Sequence, residues 1–359
     1  MVKVREMANF YDDWLDKWDQ AEAERAVARR NMHEEDLDWV ETRQDHRAAL
    51  VISPETGFRT YGTTTMVAEI PPGSHTGAHK HGEEAIFIVE GEGFSVIDGV
   101  RYNWRRHSCL LVPFGSVHQH FNTGPSPARY VSALAVHLEH LCGMHRTIQV
   151  EDKGITMNTP EVPISLDGMN PDATGRVALF IEDAIVEQGE SDGVPVMPDS
   201  MPDFDPEHPL VLGDTFDMLN TIPAGMHKSK TYNFMRIGKE YNDFKPQEVE
   251  VSGLLIDPPH EYGGLHAHAE AHLYVIQGSG YTTIGDEQVP WKMGTGFQVP
   301  GPQTPHRHVN TSDGEAIMIR IAFGVRYFIE RSARREWPYL YLAPRQGMLE
   351  RSANSSAAD

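Results

Sequence analysis

Cysteine is scarce in this chain, because Cys109 and Cys142 are the only two among 359 residues. Two cysteines without CxxC spacing cannot build the disulfide framework on which small secreted proteins depend. We therefore expect reduced thiols and a cytoplasmic protein.

Long apolar runs and an excess of positive charge are also lacking. No stretch reaches the ~18 apolar residues of a membrane-spanning helix, and the opening MVKVREMANFYDDWLDKW has no apolar signal core. The formal net charge of −21 disfavours an interface for nucleic acid or for an anionic membrane. We therefore expect neither nucleic acid nor a membrane among the partners.

Two kinds of hydrophobic pattern divide the chain. Phe10, Trp14 and Trp18 recur at helical spacing, which predicts a helical N-terminal arm. From Thr60 onward, short β-rich runs alternate with Gly, Pro and Asp-Gly turns, which is typical of an antiparallel sandwich or barrel. The predicted division is a helical arm (1–48), a β domain (49–150), a connector with short helices and strands (151–248), a second β domain (249–345) and a disordered tail (346–359).

An internal repeat is the strongest organisational signal. His79–Pro113 aligns without a gap on His266–Pro300 at a constant offset of 187, and HxHxN follows in both copies at an offset of 188. The repeat predicts two copies of one β unit. The paired positions include His79 with His266, His81 with His268, Trp104 with Trp291, and His118 with His306.

The histidine spacing indicates a metal site. Residues two apart on a strand point to the same face, so His79 and His81 can share one cavity. One histidine of the later pair, His118 or His120, can complete a three-point set, and the other then lies beside the open positions. Three imidazoles with open positions suit Fe(II) or Mn(II), and Zn(II) also accepts them.

Two adjacent glutamates follow the first HxH pair. Glu84 is a candidate fourth ligand, and a role outside the metal site stays open; the second copy has Ala271 at that position. Glu83 and its counterpart Glu270 are expected to face solvent.

A few further residues are candidates for roles around the site. Arg101 and Arg105 are candidates for pairing with a substrate carboxylate, since guanidinium groups match carboxylates. Trp104 is a candidate substrate contact, with a core position as the alternative. His272 lies beside the second histidine set, and His107 replaces the glycine that the second copy supplies as Gly294.

These motifs resemble those of the cupin superfamily. The first cupin motif, G-x5-H-x-H-x3,4-E-x6-G, is matched from Gly73 through Glu84 to Gly91, with only two residues between His81 and Glu84. The second motif, G-x5-P-x-G-x2-H-x3-N, is matched by Pro113, Gly115, His118 and Asn122, while His107 stands at its leading glycine. The resemblance implies an all-β fold of two jelly-roll cupin domains, with the helical arm and a partly helical connector added.

The paired units are similar to the bicupin dioxygenases that cleave gentisate, salicylate and 1-hydroxy-2-naphthoate. That resemblance implies Fe(II) on His79, His81 and His118, with His120 as the catalytic histidine near the substrate. Glu84 departs from the three-histidine pattern of that family. A second metal site would use His266, His268 and His306.

The function implied is a non-haem Fe(II) dioxygenase of the extradiol type. It would use O2 to open the ring of an aromatic carboxylate that bears a hydroxyl or amino group, and it would form a homo-oligomer. Two alternatives stay open: a Mn(II) or Zn(II) bicupin lyase or isomerase, which Glu84 as a ligand would favour, and a non-catalytic bicupin that binds a ligand.

Overall fold

The fold consists of two β-barrels, seen in a computed structural model of the chain. The described residues are 9–144, 146–155, 178–180, 210–211, 230–233, 235, 237, 244–262, 265–301, 304, 306–326 and 340–343. The helices are α1 (Phe10–Val27) and α2 (Val136–Cys142), with 3-10 turns at Glu34–Asp36 and Pro54–Thr56.

The first barrel is built from two facing sheets. Its strands are β2 (Arg47–Ile52), β3 (Thr64–Ile70), β4 (Ala78–Lys80), β5 (Glu84–Glu90), β6 (Glu92–Ile97), β7 (Val100–Arg105), β8 (Ser108–Val112), β9 (His118–Asn122), β10 (Ala128–Leu134), β11 (Ile148–Glu151) and β12 (Ala178–Phe180). One sheet has the order β12-β8-β5-β10-β3-β2 and the other β11-β4-β9-β6-β7.

The second barrel repeats this plan. Its strands are β1 (Asn31–Met32), β13 (Leu210–Val211), β14 (Lys230–Asn233), β15 (Val249–Asp257), β16 (Leu265–Ala267), β17 (Ala271–Gln277), β18 (Ser279–Ile284), β19 (Glu287–Lys292), β20 (Gly296–Val299), β21 (His306–Asn310), β22 (Ala316–Phe323) and β23 (Leu340–Ala343). The sheet orders are β1-β20-β17-β22-β15-β14 and β13-β23-β16-β21-β18-β19. The predicted all-β fold with two repeated units is confirmed.

Tight turns between strands account for the register of the sheets. Asp98 and Gly99 join β6 to β7 with both residues at positive φ, as a two-residue hairpin requires. His107 has φ of 64°, in the left-handed region that its counterpart Gly294 also adopts. His107 therefore serves the turn between β7 and β8.

Three hydrophobic cores hold the barrels together. One fills the first barrel around Ile86 and Trp104, and another fills the second barrel around Leu273 and Trp291. The third lies between the barrels, where Phe87 belongs to the same cluster as residues of the other barrel. Strands such as β5 are therefore buried on both faces, which explains their nearly continuous apolar sequence.

Each barrel also receives a short edge strand from a segment outside its repeat. The arm strand β1 pairs with β20 of the second barrel, and β12 from the connector pairs with β8 of the first. Within the described part of the predicted helical arm, residues 9–48, the α-helix spans α1, and a 3-10 turn follows at Glu34–Asp36. A connector helix was predicted around 177–188, but its described part, β12, is a strand; the predicted helix around 214–222 lies outside the described residues.

Glu83 and Glu270 do not face solvent, so that prediction was wrong. Their exposed fractions are 3% and 1%. Glu83 accepts backbone N–H groups at the start of β15 in the second barrel, and Glu270 accepts from Tyr61 and Thr63 ahead of β3 in the first. The two carboxylates make reciprocal contacts across the interface between the barrels.

α1 extends along the outside of the molecule and has no buried residue. Among the helices of the described residues, none is long and apolar enough to cross a membrane.

Candidate metal centre

Two neighbouring strands bring three histidines together at one end of the first barrel. His79 lies on β4, and His81 follows it two positions later with its ring on the same side. His118 begins β9 and is the register partner of His79. The ring centroids of the three histidines lie 4.4–4.8 Å apart.

Glu84 completes this cluster from the first position of β5. Its Oε2 atom is 3.3 Å from Nε2 of His118 and 3.5 Å from Nε2 of His81. Ligand atoms of His79, His81, Glu84 and His118 all lie within 4.8 Å of one another. The carboxylate of Glu84 therefore points at the histidines, and its role as a fourth metal ligand stays a prediction.

Backbone carbonyls orient two of the rings. Nδ1 of His81 lies 3.0 Å from the carbonyl oxygen of Gly82, and Nδ1 of His118 lies 3.0 Å from that of Ser116. A carbonyl only accepts hydrogen bonds, so both Nδ1 atoms carry the proton. The lone pairs on the Nε2 atoms therefore face the centre, which is the tautomer a metal ligand needs.

The cluster fits a divalent cation. Oε2 of Glu84 is buried without a hydrogen-bond partner, and Nε2 of His79 lies 2.7 Å from Nε2 of His118. Burial, together with the rings of His118 and His81, lowers the pKa of His79 to about 2, so that ring is neutral. Burial by itself would raise the pKa of Glu84, but the nearby histidines hold it well below its usual range. Three neutral nitrogens and one carboxylate oxygen suit Fe(II), Mn(II) or Zn(II).

A chain of hydrogen bonds holds His120 next to the cluster. Its ring centroid is 5.6 Å from that of His118. Ser95 Oγ lies 2.7 Å from Nδ1 of His120 and accepts the indole N–H of Trp104 at 3.0 Å. Because Trp104 can only donate, the Ser95 hydroxyl proton is available to Nδ1 of His120. In that arrangement the ring proton of His120 is on Nε2.

Two buried residues near His120 gave no signal in the sequence. Tyr130, on β10, places its ring 5.5 Å from that of His120, and its hydroxyl donates a 2.9 Å hydrogen bond to Asp45. The repeat could not reveal Tyr130, since Met318 stands at the corresponding position. Asp45 precedes the repeated region altogether.

Asp45 is expected to make stability depend on pH. Burial raises the pKa of its carboxyl from 3.8 to about 6, despite the hydrogen bond from Tyr130, which lowers it. The folded protein then holds this proton more tightly than the unfolded chain. The resulting stabilisation is complete below the unfolded pKa and is lost as the pH rises through the folded pKa.

We therefore expect the free energy of unfolding of the wild type, relative to Asp45→Asn, to fall by about 3 kcal/mol between pH 3 and pH 7. Urea titrations of both proteins across this range measure it. If the difference in free energy of unfolding between the wild type and Asp45→Asn does not change with pH, the expectation is wrong.

The predicted substrate contacts lie elsewhere. Side chains alternate along β7, and Trp104 is on the interior face, where it supports Ser95. Arg101 is on the outer face, stacked 3.8 Å over the ring of Phe94, and Arg105 shares that face. The structure does not bring Arg101 or Arg105 to the metal cluster, because the sheet itself separates them from it.

The second barrel has a related histidine arrangement. The rings of His268 and His306 lie 4.5 Å apart, and Nδ1 of each is held by a backbone carbonyl, as in the first barrel. The side chain of His266 lies outside the described residues, so the second metal site stays a prediction. His272 is buried between the barrels, where it contacts Thr65 and Glu270.

Comparison with known families agrees with the repeat. The family model described as the cupin domain matches residues 66–135 and again 253–322. The chain carries two cupin domains. This bicupin is 23% identical over 322 residues to a gentisate 1,2-dioxygenase from Haloferax sp., covering 86% of this chain and 82% of that protein.

Solved structures share the bicupin fold. A salicylate 1,2-dioxygenase from Pseudoaminobacter salicylatoxidans, studied as an adduct with gentisate, has a TM-score of 0.57 at 15% identity, covering 92% of this chain and 94% of that one. A deletion mutant of the oxalate decarboxylase from Bacillus subtilis has a TM-score of 0.51 at 15% identity, covering 82% and 77%. At these identities the likeness establishes the fold.

Proposed function

We propose that this bicupin is a non-haem Fe(II) dioxygenase that opens the ring of a hydroxylated or amino-substituted aromatic carboxylate with O2. The observation that carries the proposal is the convergence of His79, His81, Glu84 and His118 within 4.8 Å. The similarity to a gentisate 1,2-dioxygenase over most of the chain supports the reaction class. The exact substrate and the extradiol mode of cleavage stay predictions, as does the cytoplasmic location.

The roles of the residues follow from the geometry. His79, His81, Glu84 and His118 would hold Fe(II), which would supply the redox chemistry that activates O2. The backbone carbonyls that contact Nδ1 of His81 and of His118 fix the orientation of both rings and leave Nε2 of each toward the cluster. Ser132 donates to the second oxygen of Glu84, which fixes the direction of the carboxylate.

His120 is the residue that would move or hold a proton beside the reacting groups. The Trp104–Ser95 pair keeps its ring at a fixed angle, with Nε2–H free to donate toward the barrel interior. The second copy has the same support in Trp291, Thr282 and His308.

Oxygen consumption tests the proposal. The full chain would be loaded anaerobically with Fe(II) and given gentisate, salicylate or an amino analogue, and O2 uptake would be followed with an electrode. We expect uptake with at least one of these acids and its loss in His118→Ala. Absence of uptake with every acid, in protein shown to contain iron, would reject the dioxygenase.

A Mn(II) or Zn(II) lyase or isomerase is the second candidate, and the position of Glu84 specifically favours it. A fourth, anionic ligand reduces the open positions and adds negative charge at the metal. Product formation with Mn(II)-loaded protein and without O2 consumption would identify this class. A ligand-binding bicupin would instead show the same ligand affinity in His79→Ala as in the wild type.

The predicted homo-oligomer has a candidate contact in α1. This helix exposes more than half of the side-chain surface of its aromatic and leucine residues, Phe10, Tyr11, Trp14, Leu15 and Trp18. Exposed apolar patches of this kind mark protein contacts. We propose that a second copy of the chain covers this face.

Sedimentation velocity tests the oligomer. The wild type is expected to sediment as an oligomer and Trp14→Glu as a smaller species, because the charge would be desolvated in the interface. Leu141→Glu, at a side chain that is 84% exposed on α2, is the matched control and should not change the assembly. If the wild type sediments as a monomer, α1 does not form a contact between copies of the chain.

A further inference from the structure

A short loop carries two of the four residues of the metal cluster. It spans residues 81–84, which we call the ligand loop, and it begins with His81 and ends with Glu84. The side chain of Glu139, on α2, lies against this loop and is the buried side chain of that helix, with 2% of its surface exposed. Because glutamate is rarely buried without specific partners, its surroundings call for an explanation.

The carboxyl group of Glu139 occupies the space beside Gly82. A Cβ atom built on Gly82 would overlap with both carboxyl oxygens of Glu139, and these are among the nearest atoms that it would meet. Gly82 does not have a positive φ, so its backbone conformation is open to alanine. The second barrel has Ala269 at the equivalent position. The glycine therefore serves the close approach of the Glu139 carboxyl group in the first barrel.

Glu139 also contacts the second barrel. Its carboxyl group is hydrogen-bonded to that of Glu248, which lies directly before β15. Two carboxyl groups can form such a bond only when one of them carries a proton, and burial raises the pKa of Glu139. One proton is thus shared between a side chain of each barrel.

Glu83 ties the ligand loop to the same segment of the second barrel. Its carboxylate accepts the backbone N–H groups of Glu248 and Val249 at 2.6 and 3.0 Å. Glu248 is therefore contacted twice from the first barrel, through its backbone by Glu83 and through its side chain by Glu139. The contacts form a closed circuit that runs from the ligand loop through α2 and the start of β15 back to the loop.

We propose that Glu139 is a positioning residue for the metal centre, which clamps the ligand loop against the second barrel and so fixes the places of His81 and Glu84. The inference rests on the proposed metal centre and not on the ring-cleaving reaction. A loop that is already held in one arrangement loses less conformational freedom when the metal binds. The second barrel then supports the metal centre of the first, whether or not it binds a metal of its own.

Co(II) titration of the full chain, followed by visible absorption, tests the clamp. We expect Glu139→Ala to weaken Co(II) binding about tenfold and to change the absorption bands, because groups that support metal ligands contribute 10–100-fold to metal affinity. Glu139→Gln should bind Co(II) nearly as the wild type does, because its amide N–H donates to Glu248 in place of the shared proton. A role of Glu139 in stability alone would leave the absorption bands of the bound Co(II) unchanged.

Two further variants serve as controls. Glu55→Ala removes the contact that Glu55 makes with His137, at the other end of α2, and should bind Co(II) as the wild type does. His118→Ala measures the Co(II) that binds outside the first barrel. Because the titrations contain no substrate, failure of the proposed ring-cleaving reaction would not affect these results.

Gly82 provides an independent test of the same contact. Gly82→Ala should also weaken Co(II) binding about tenfold, because the new Cβ atom displaces the carboxyl group. The double variant with Glu139→Ala should bind no more weakly than either single variant, since both changes disrupt one contact.

Three results would overturn the proposal, with thermal unfolding showing that each variant is folded. The first is wild-type Co(II) affinity and absorption in Glu139→Ala, or in Gly82→Ala where Glu139→Ala does not fold. The second is a loss in the double variant equal to the sum of the two single losses in free energy. The third is equal Co(II) binding by the wild type and His118→Ala.

Discussion

Replacing Glu84 with alanine is expected to lower the affinity of the first barrel for its divalent metal by about 100-fold or more, since even groups that only support a ligand contribute 10–100-fold. The carboxylate is the one anionic donor of the cluster, and Oε2 lies 3.3 Å from Nε2 of His118. Its removal leaves three neutral imidazoles. Metal content after dialysis against a graded chelator series, measured by mass spectrometry, gives the ratio of affinities.

Two variants calibrate this result. Glu84→Gln keeps an oxygen donor without its charge and should fall between the wild type and Glu84→Ala. Glu90→Ala, at the exposed end of the same strand, should bind metal as the wild type does. Equal metal retention by Glu84→Ala and the wild type would show that Glu84 is not a ligand and that three histidines suffice.

Replacing Glu83 with alanine is expected to reduce the free energy of unfolding by about 1–3 kcal/mol, because the buried N–H of Val249 would lose its partner and such a donor costs ~1–3 kcal/mol. The carboxylate accepts the backbone N–H groups of Gln247, Glu248 and Val249 at 2.6–3.0 Å. All three would lose their partner at the start of β15. Urea unfolding followed by circular dichroism measures the loss.

Two further variants, a conservative change at Glu83 and the equivalent change at Glu270, provide a comparison for this loss of stability. Glu83→Gln retains one acceptor oxygen and should lose less stability than Glu83→Ala. Glu270→Ala removes the reciprocal contact with Tyr61 and Thr63 and should have a destabilising effect of similar size. A Glu83→Ala protein as stable as the wild type would mean that the interface between the barrels does not depend on these carboxylates.

Glu83 and Glu84 show why part of the site could not be read from the sequence. They are adjacent, so their side chains leave the chain in opposite directions. Both faces of the following strand are apolar and buried, one in the barrel and one between the barrels. The pattern therefore does not indicate which face is the barrel interior. Only the packing of the second barrel assigns Glu83 to the interface and Glu84 to the metal cluster.

Arg101 and Arg105 illustrate a different limit of prediction from sequence. Their charge suits a carboxylate, but the alternation of β7 directs them outward while Trp104 points inward. The alternation of apolar Tyr102 and Trp104 with Arg101 and Arg105 indicates this direction in the sequence itself. Asp45 and Tyr130, by contrast, are 85 residues apart, and no local pattern brings them together.

Local sequence patterns were enough to predict the two repeated β units and the histidines that can converge. Both follow from local geometry: a repeat at a constant offset must fold twice in the same way, and residues two apart on a strand share a face. The directions of the carboxylate side chains, by contrast, follow from tertiary packing. Glu84 faces the histidine cluster and Glu270 faces the other barrel, because those directions depend on how strands distant in sequence pack.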